Sequence, residues 1–106
     1  MKPKVTVLVT IHNHEKYIGR CLRSLVSQKI DRKFFEIIIV NDASTDNSEA
    51  IINVFKEDII YIKNKKRIGL PGSLNIGIKK IKTPYFVRVD SDDYVNENFL
   101  EYLVNF

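Results

Sequence analysis

A cluster of acidic residues at positions 90–93 follows directly on a short apolar run in this chain. The run, residues 85–89, is Tyr-Phe-Val-Arg-Val, and aromatic and β-branched residues of this kind predict a buried β-strand. Asp90 and Asp92 are two positions apart, which puts both side chains on the same side of an extended chain. Neighbouring carboxylates repel each other unless a cation compensates them, and Mg²⁺ and Mn²⁺ prefer oxygen ligands. The end of this strand is therefore predicted to bind a divalent cation and its ligand.

The elements that position this cluster alternate along the chain. Strands are predicted at 5–11, 36–40, 59–62 and 85–89, and helices at about 15–28, 47–56, 71–82 and from about Asn96 onward. Such alternation implies right-handed crossovers. The predicted fold class is α/β, a doubly wound and mostly parallel sheet with helices on both faces. In the commonest arrangement of this class, strands one and four are neighbours, and ligands bind outside their carboxyl ends.

Polar residues at the ends of strands one and two would line the same crevice. Thr10, His12 and Asn13 follow strand one, and Asp42 follows strand two. A carboxylate at the position of Asp42 could accept a hydrogen bond from a nucleobase imide, or could simply stabilise a turn. His12 is interpreted as a side chain that stacks on the base or lines its edge. A zinc pair of His12 with His14 is disfavoured because no cysteine or third histidine lies nearby in sequence.

Composition narrows the function classes. The 106 residues are 44% hydrophobic and 28% charged, which is typical of one globular domain. The charges behind the net charge of +4 are spread along the chain, so a nucleic-acid partner is not predicted.

No apolar run approaches the roughly 20 residues that span a bilayer, so a cytoplasmic location is predicted. Association with the inner face of the membrane is left open. Cys21 is predicted to lie on the apolar face of the first helix and to pack in the core. The oligomeric state is left open.

Two common nucleotide-binding motifs are missing. No glycine-rich dinucleotide fingerprint follows strand one, and the chain has no phosphate-cradling loop with Gly, Lys and Ser or Thr. These absences disfavour nicotinamide dehydrogenases and P-loop ATPases. A receiver-like signalling domain is disfavoured because no aspartate follows strand three, where Lys63 and Asn64 stand.

Four ordered segments together resemble the N-terminal half of family-2 glycosyltransferases, the Rossmann-like, nucleotide-sugar-binding half of the glycosyltransferase A fold. The segments are 5–13 (VTVLVTIHN), 38–46 (IIVNDASTD), 64–77 (NKKRIGLPGSLNIG) and 86–93 (FVRVDSDD). They cover nearly the whole chain, and four blocks in family order are far more specific than any one of them.

The resemblance implies a role for each matched residue. Thr10 and His12 would line the base pocket, and Asp42 would bond the base. Asp92, the second aspartate of the family's DXD motif, would coordinate the Mn²⁺ or Mg²⁺ that bridges the donor phosphates. The nucleotide-binding residues implied in this way are Thr10, His12, Asn13, Asp42, Asn75 and Asp90, and the metal-binding residues are Asp92 and Asp90. Two departures concern the base: His12 stands where the family often has an aromatic hydroxyl residue, and Asn41 replaces the usual first aspartate.

The resemblance also implies what this chain lacks. Family members continue into an acceptor-binding half that carries the general base, and here Glu97 and Glu101 fit better as polar positions of the last helix. Residues 1–106 are therefore expected to be a truncated nucleotide-sugar-binding domain of a longer inverting enzyme of polysaccharide biosynthesis. That enzyme would transfer a sugar from a nucleotide-diphosphate donor, a UDP-sugar in the first instance, to a hydroxyl of a glycan or lipid-linked glycan, while the isolated chain would only bind donor. The alternative is a non-catalytic nucleotide-binding or interaction module.

Overall fold

A computed structural model describes residues 2–105 of the chain. The strands are β1 (Val5–Ile11), β2 (Phe35–Asn41), β3 (Ile60–Lys63) and β4 (Tyr85–Arg88), and the helices are α1 (Ile18–Val26), α2 (Ser48–Asn53), α3 (Leu70–Lys80) and α4 (Phe99–Val104). Every predicted element is present in the predicted order. Helix α2 is shorter than predicted, because the chain turns through a 3₁₀ segment at Lys56–Asp58 before β3.

The four strands form one parallel sheet in the order β3-β2-β1-β4. The predicted fold class is confirmed, and so is the predicted neighbourhood of strands one and four. In the register of this sheet, Ile11 lies beside Asn41 and Leu8 lies beside Arg88. The residues that follow β1, β2 and β4 consequently emerge at the same edge of the sheet.

Helices cover both faces of the sheet, and β1 supplies core residues to each. On one face, alternate residues of β1 from Val5 to Ile11 pack with the buried side of α1 and with Leu100 of α4. On the other face, Leu8 packs with Ile38 and Val40, against α3. A central strand that is apolar on both sides is typical of parallel sheets. Cys21 lies in the first of these cores, as predicted.

Helix α3 lies very close to the sheet at Gly77. A β-carbon at this position would be 2.4 Å from Leu8 Cδ1 and 3.2 Å from Val40 Cγ2. The sequence suggests only that a glycine weakens the helix, whereas the structure shows that the missing side chain lets the helix backbone rest on β1 and β2. Pro71 lies in the first turn of α3, where its missing N–H is tolerated.

The prediction that β4 is buried is wrong. Tyr85 is 69% exposed and Phe86 is 50% exposed, because within residues 2–105 β4 is an edge strand that pairs with β1 alone. Leu103, in the last helix, is also 41% exposed. Apolar composition indicates a strand in both buried and edge positions, so it could not reveal this exposure.

No helix within residues 2–105 is long and apolar enough to cross a membrane.

Candidate functional site

A cleft of about 290 Å³ opens at the carboxyl edge of the sheet, above β1 and between β2 and β4. Five of the predicted site residues line it. They are Thr10, His12, Asp42, Asp90 and Asp92. The chain follows the rule that ligand sites of open α/β sheets lie where the winding reverses.

Residues 90–93, here called the acidic turn, form one side of the cleft. The Asp93 N–H donates to the Asp90 carbonyl at 3.0 Å, which closes a tight turn. The chain is therefore not extended between Asp90 and Asp92, and the predicted geometry is wrong. The turn nevertheless gathers the carboxylates, since Asp90, Asp92 and Asp93 each offer an oxygen within 4.8 Å of the others. All three side chains are exposed, so they can reach a cation from the solvent side.

One cation of the protein already lies against this turn. Arg88 Nη2 is 3.1 Å from Asp90 Oδ1, and both side chains are about half exposed. Exposed pairs of this kind contribute only about 0–1 kcal/mol to stability. A divalent ion could therefore displace the guanidinium from Asp90 at little cost to the fold.

Contacts with Cys21 and His14 hold the acidic turn in place. The Cys21 thiol lies 3.7 Å from the Asp90 carbonyl, as a donor. Burial, reinforced by the negative charge of Asp93, Asp92 and Asp90, raises the pKa of this thiol to about 12. Cys21 therefore remains protonated at neutral pH, which keeps it able to donate. Ser91 is 3% exposed, and its hydroxyl shares a hydrogen bond of 2.6 Å with His14 Nδ1.

Asp42 holds the loop between β3 and α3 in place. Its carboxylate is almost completely buried, Oδ1 accepts from Asn64 Nδ2 and the Ile68 N–H, and Oδ2 accepts from the Gly69 N–H, each at 2.9 Å. Burial by itself raises the pKa of this carboxyl, but the three hydrogen bonds outweigh burial and hold its pKa below the usual value. Asp42 is therefore a charged anchor at the wall of the cleft, and Oδ2, which accepts from Gly69, has a second lone pair.

The His12 ring is held by two contacts in one defined tautomer. Nδ1 lies 2.7 Å from the Asp42 carbonyl, which can only accept, so this nitrogen carries the proton. Nε2 lies 3.2 Å from the Asn13 side-chain nitrogen and accepts from it. Because both ring nitrogens have partners within the chain, neither is free to bond a ligand in this arrangement.

Asn13 joins the loops that follow β1 and β2. Its Oδ1 accepts from the Thr45 N–H at 2.7 Å and from the Asp46 N–H at 3.3 Å. Its φ of 54° lies in the left-handed region, which asparagine tolerates better than most residues. These contacts set the distance between the two loops that carry His12 and Asp42.

The comparison with known proteins decides the family. Residues 6–106 match the family model described as Glycosyl transferase family 2. The chain belongs to this family. The resemblance seen in its four sequence segments is thereby confirmed.

This family-2 chain is similar to other glycosyltransferases in both sequence and structure. It is 38% identical over 107 residues to the poly(ribitol-phosphate) beta-glucosyltransferase of Bacillus spizizenii, which covers 97% of this chain and 17% of that protein. It is 38% identical over 103 residues to the glycosyltransferase GlyA of Streptococcus pneumoniae, covering 94% of this chain and 14% of that protein. The crystal structure of Staphylococcus aureus TarS 1–349 in complex with UDP-GlcNAc superposes with a TM-score of 0.90 at 30% identity, over 96% of this chain and 30% of that one. The chain thus spans less than a fifth of the length of these two curated relatives.

Two of the family-implied residues lie outside the cleft wall. Asn13 faces the loop after β2, as described above, and Asn75 is an exposed residue of α3. Among residues 2–105, the acidic turn is the one group of three or more side chains placed to hold a metal ion. The two histidines are not part of this group.

Sequence reasoning missed several residues that line the cleft of this family-2 chain. They are His14, Leu70, Ser73, Arg88 and Ser91. Arg67 also lines the cleft, and it ends the basic run 63–67, which the sequence offers either as a solvated loop or as a contact for a phosphate. Ser91 and His14 are 77 positions apart, and no pattern in the sequence links them.

Proposed function

We propose that this chain is the donor-binding part of a longer glycosyltransferase. That enzyme would move a sugar from a nucleotide-diphosphate donor, a UDP-sugar in the first instance, to a hydroxyl of a glycan or lipid-linked glycan. The observation that carries the proposal is the gathering of three carboxylates within 4.8 Å at the end of β4, on the rim of a cleft that Asp42 also lines.

The acidic turn fits a hard divalent cation. It offers oxygen donors alone, which suit Mg²⁺ or Mn²⁺ rather than metals that prefer sulfur or nitrogen. Asp92 and Asp90 would hold the ion, and Asp93 adds a third carboxylate at the same place. A bound cation would neutralise the negative charge of the leaving diphosphate.

The other side of the cleft suits the nucleoside and its phosphates. Asp42 Oδ2 accepts one hydrogen bond from the chain, so a base imide N–H could be its second donor. The face of the His12 ring could stack on that base. Arg67 lines the same cavity and could pair with a phosphate oxygen.

The comparisons support a UDP-sugar donor and a glycan acceptor. TarS, with which the chain superposes, is described in complex with UDP-GlcNAc. The relative from Bacillus spizizenii is named for the transfer of glucose to poly(ribitol-phosphate). By analogy, we propose a role in polysaccharide biosynthesis.

The general base is not expected within residues 2–105. Glu97 forms an exposed ion pair with Lys29 at 3.3 Å, and Glu101 is exposed on α4. Neither lines the cleft. The chain alone is therefore expected to bind donor without transferring the sugar.

Calorimetric titration of the chain with UDP, in the presence and absence of Mn²⁺, tests this proposal. We expect UDP to bind only when Mn²⁺ is present, and Asp92→Asn to remove the metal-dependent binding. Asp58→Asn is the matched control, because this exposed aspartate lies before β3 and away from the cleft. Equal binding of UDP without metal would favour the alternative of a non-catalytic nucleotide-binding module. Failure of UDP to bind under either condition would contradict the donor site.

A further inference from the structure

We propose that His14 is a positioning residue for the acidic turn and acts through Ser91. The inference rests on the proposed function and names a residue that neither the sequence pattern nor the family resemblance assigns. His14 would not touch the cation. It would hold the backbone between Asp90 and Asp92 so that their carboxylates remain close enough to share one ion.

The contact joins the segments that follow two neighbouring strands, β1 and β4. His14 follows β1 and Ser91 follows β4, and Nδ1 and Oγ are 2.6 Å apart. Ser91 is 3% exposed, whereas the aspartates on both sides of it are exposed. The hydroxyl therefore points into the protein while the neighbouring carboxylates point away from it. Ser91 is thus the point at which the tip of the turn is attached to the rest of the fold.

His14 is itself held firmly enough to act as an anchor. Its carbonyl accepts from the N–H groups of Tyr17 at 3.0 Å and Ile18 at 2.9 Å, at the start of α1. Its ring meets the Tyr17 ring edge-on, with centroids 5.9 Å apart and an interplanar angle of 88°. The backbone bonds fix the His14 main chain to α1 and the ring contact orients the imidazole, while α1 packs on the core through Ile18 and Cys21.

The acidic turn needs such an anchor because repulsion between its carboxylates opposes their close spacing. Three carboxylates within 4.8 Å repel one another, and a loose turn would let them separate. The Asp93 N–H and the Cys21 thiol both hold the Asp90 carbonyl, at the start of the turn. The bond of Ser91 to His14 fixes the next residue, between the two predicted ligands. Residues behind metal ligands commonly change metal affinity in this way without contacting the ion.

Mn²⁺ affinity of the whole 106-residue chain, measured by calorimetry in the absence of nucleotide, tests the proposal. We expect His14→Ala and Ser91→Ala each to weaken Mn²⁺ binding about tenfold, the lower end of the effect of such supporting residues. The double variant should lose no more than either single variant, because both remove the same bond. His14→Asn keeps a polar group near the Nδ1 position and should restore most of the affinity.

Thr6→Val is the matched control for a general loss of stability. Thr6 is fully buried, and its hydroxyl lies 2.7 Å from the Thr83 hydroxyl, so it joins β1 to the segment before β4 at the opposite end of the strands. This variant should lower the melting temperature and leave Mn²⁺ affinity unchanged. Amide hydrogen exchange in the metal-free chain should become faster at residues 91–93 in His14→Ala and Ser91→Ala, and should remain unchanged there in Thr6→Val.

The possible outcomes separate this inference from the donor-site proposal. If the unaltered chain binds Mn²⁺ and both alanine variants bind it equally well, the positioning role is wrong and the donor site stands. A loss in His14→Ala without a loss in Ser91→Ala would also overturn the inference, because His14 would then act without Ser91. If the unaltered chain binds no Mn²⁺ with or without UDP, both proposals fail together.

Discussion

Replacement of Asp42 by asparagine is the sharpest test of how the cleft is built. The carboxylate accepts three hydrogen bonds of 2.9 Å, from Asn64, Ile68 and Gly69. In Asp42→Asn the amide oxygen can replace Oδ1, but the amide NH₂ then faces the Gly69 N–H, so two donors meet. Leaving a buried or partly buried donor without its partner costs about 1–3 kcal/mol, and more where the lost partner was charged. We therefore expect Asp42→Asn to lower the free energy of unfolding by about 2–4 kcal/mol at pH 7.

The effect should depend on pH in a defined direction. The hydrogen bonds hold the pKa of folded Asp42 below its ordinary value of 3.8. Their stabilisation is therefore fully present above that pH and is lost as the pH falls through the lower, folded-state pKa. Once protonated, Asp42 resembles asparagine, so the difference between the two proteins should shrink on acidification.

Urea denaturation at pH 7 and at progressively lower pH measures both quantities. Asp58→Asn serves again as the control and should change stability by less than about 0.5 kcal/mol, because this aspartate is exposed. The lowered pKa values of Asp46 and Glu49 affect both proteins equally and cancel in the difference. Equal stability at pH 7, or a difference that does not change with pH, would refute the view that Asp42 is a charged anchor.

Two further predictions concern packing. Gly77→Ala should destabilise the chain by about 1–3 kcal/mol, the usual cost of overpacking, because the new methyl group would lie 2.4 Å from Leu8 Cδ1; thermal denaturation measures this. Cys21 should resist alkylation in the native chain at pH 8 and react once urea unfolds it, because burial raises its pKa to about 12 and the thiolate is the reactive form.

Each of these has a control in the same chain. Gly19→Ala is the control for helix packing, because its new methyl group would meet only the flexible end of Arg23 at 3.2 Å and a side-chain carbon of Ile51 at 3.5 Å. A loss of stability at Gly19 equal to that at Gly77 would contradict the close approach of α3. Alkylation of Cys21 in the native chain as fast as in urea would contradict its burial.

The order of elements and the position of the cleft could be predicted from the sequence. Alternating periodicities give parallel strands, and the winding rule then places the ends of strands one and four side by side, with Asp90 and Asp92 at the mouth. Both steps depend on local pattern and on general rules of topology. The exposure of β4 could not be predicted in this way, because aromatic residues such as Tyr85 and Phe86 occur in edge strands as well as in buried strands.

The details of the site depend on contacts that leave no local pattern. Asp42 appears in the sequence as a strand-end carboxylate, and only the structure shows that the loop at Ile68 and Gly69 turns back to it. The close contact of Gly77 with Leu8 depends likewise on how α3 lies on the sheet. Such contacts join residues far apart in the chain, and they are decided by the packing of complete elements.

The most direct test of the account is the position of Mn²⁺ in crystals of the chain grown with UDP, located by anomalous scattering. We expect one strong peak in coordination contact with Asp92, with the diphosphate of UDP on its other side and the base beside Asp42. A nucleotide bound in the cleft with no metal at the acidic turn, or a metal peak elsewhere with the turn left empty, would contradict it.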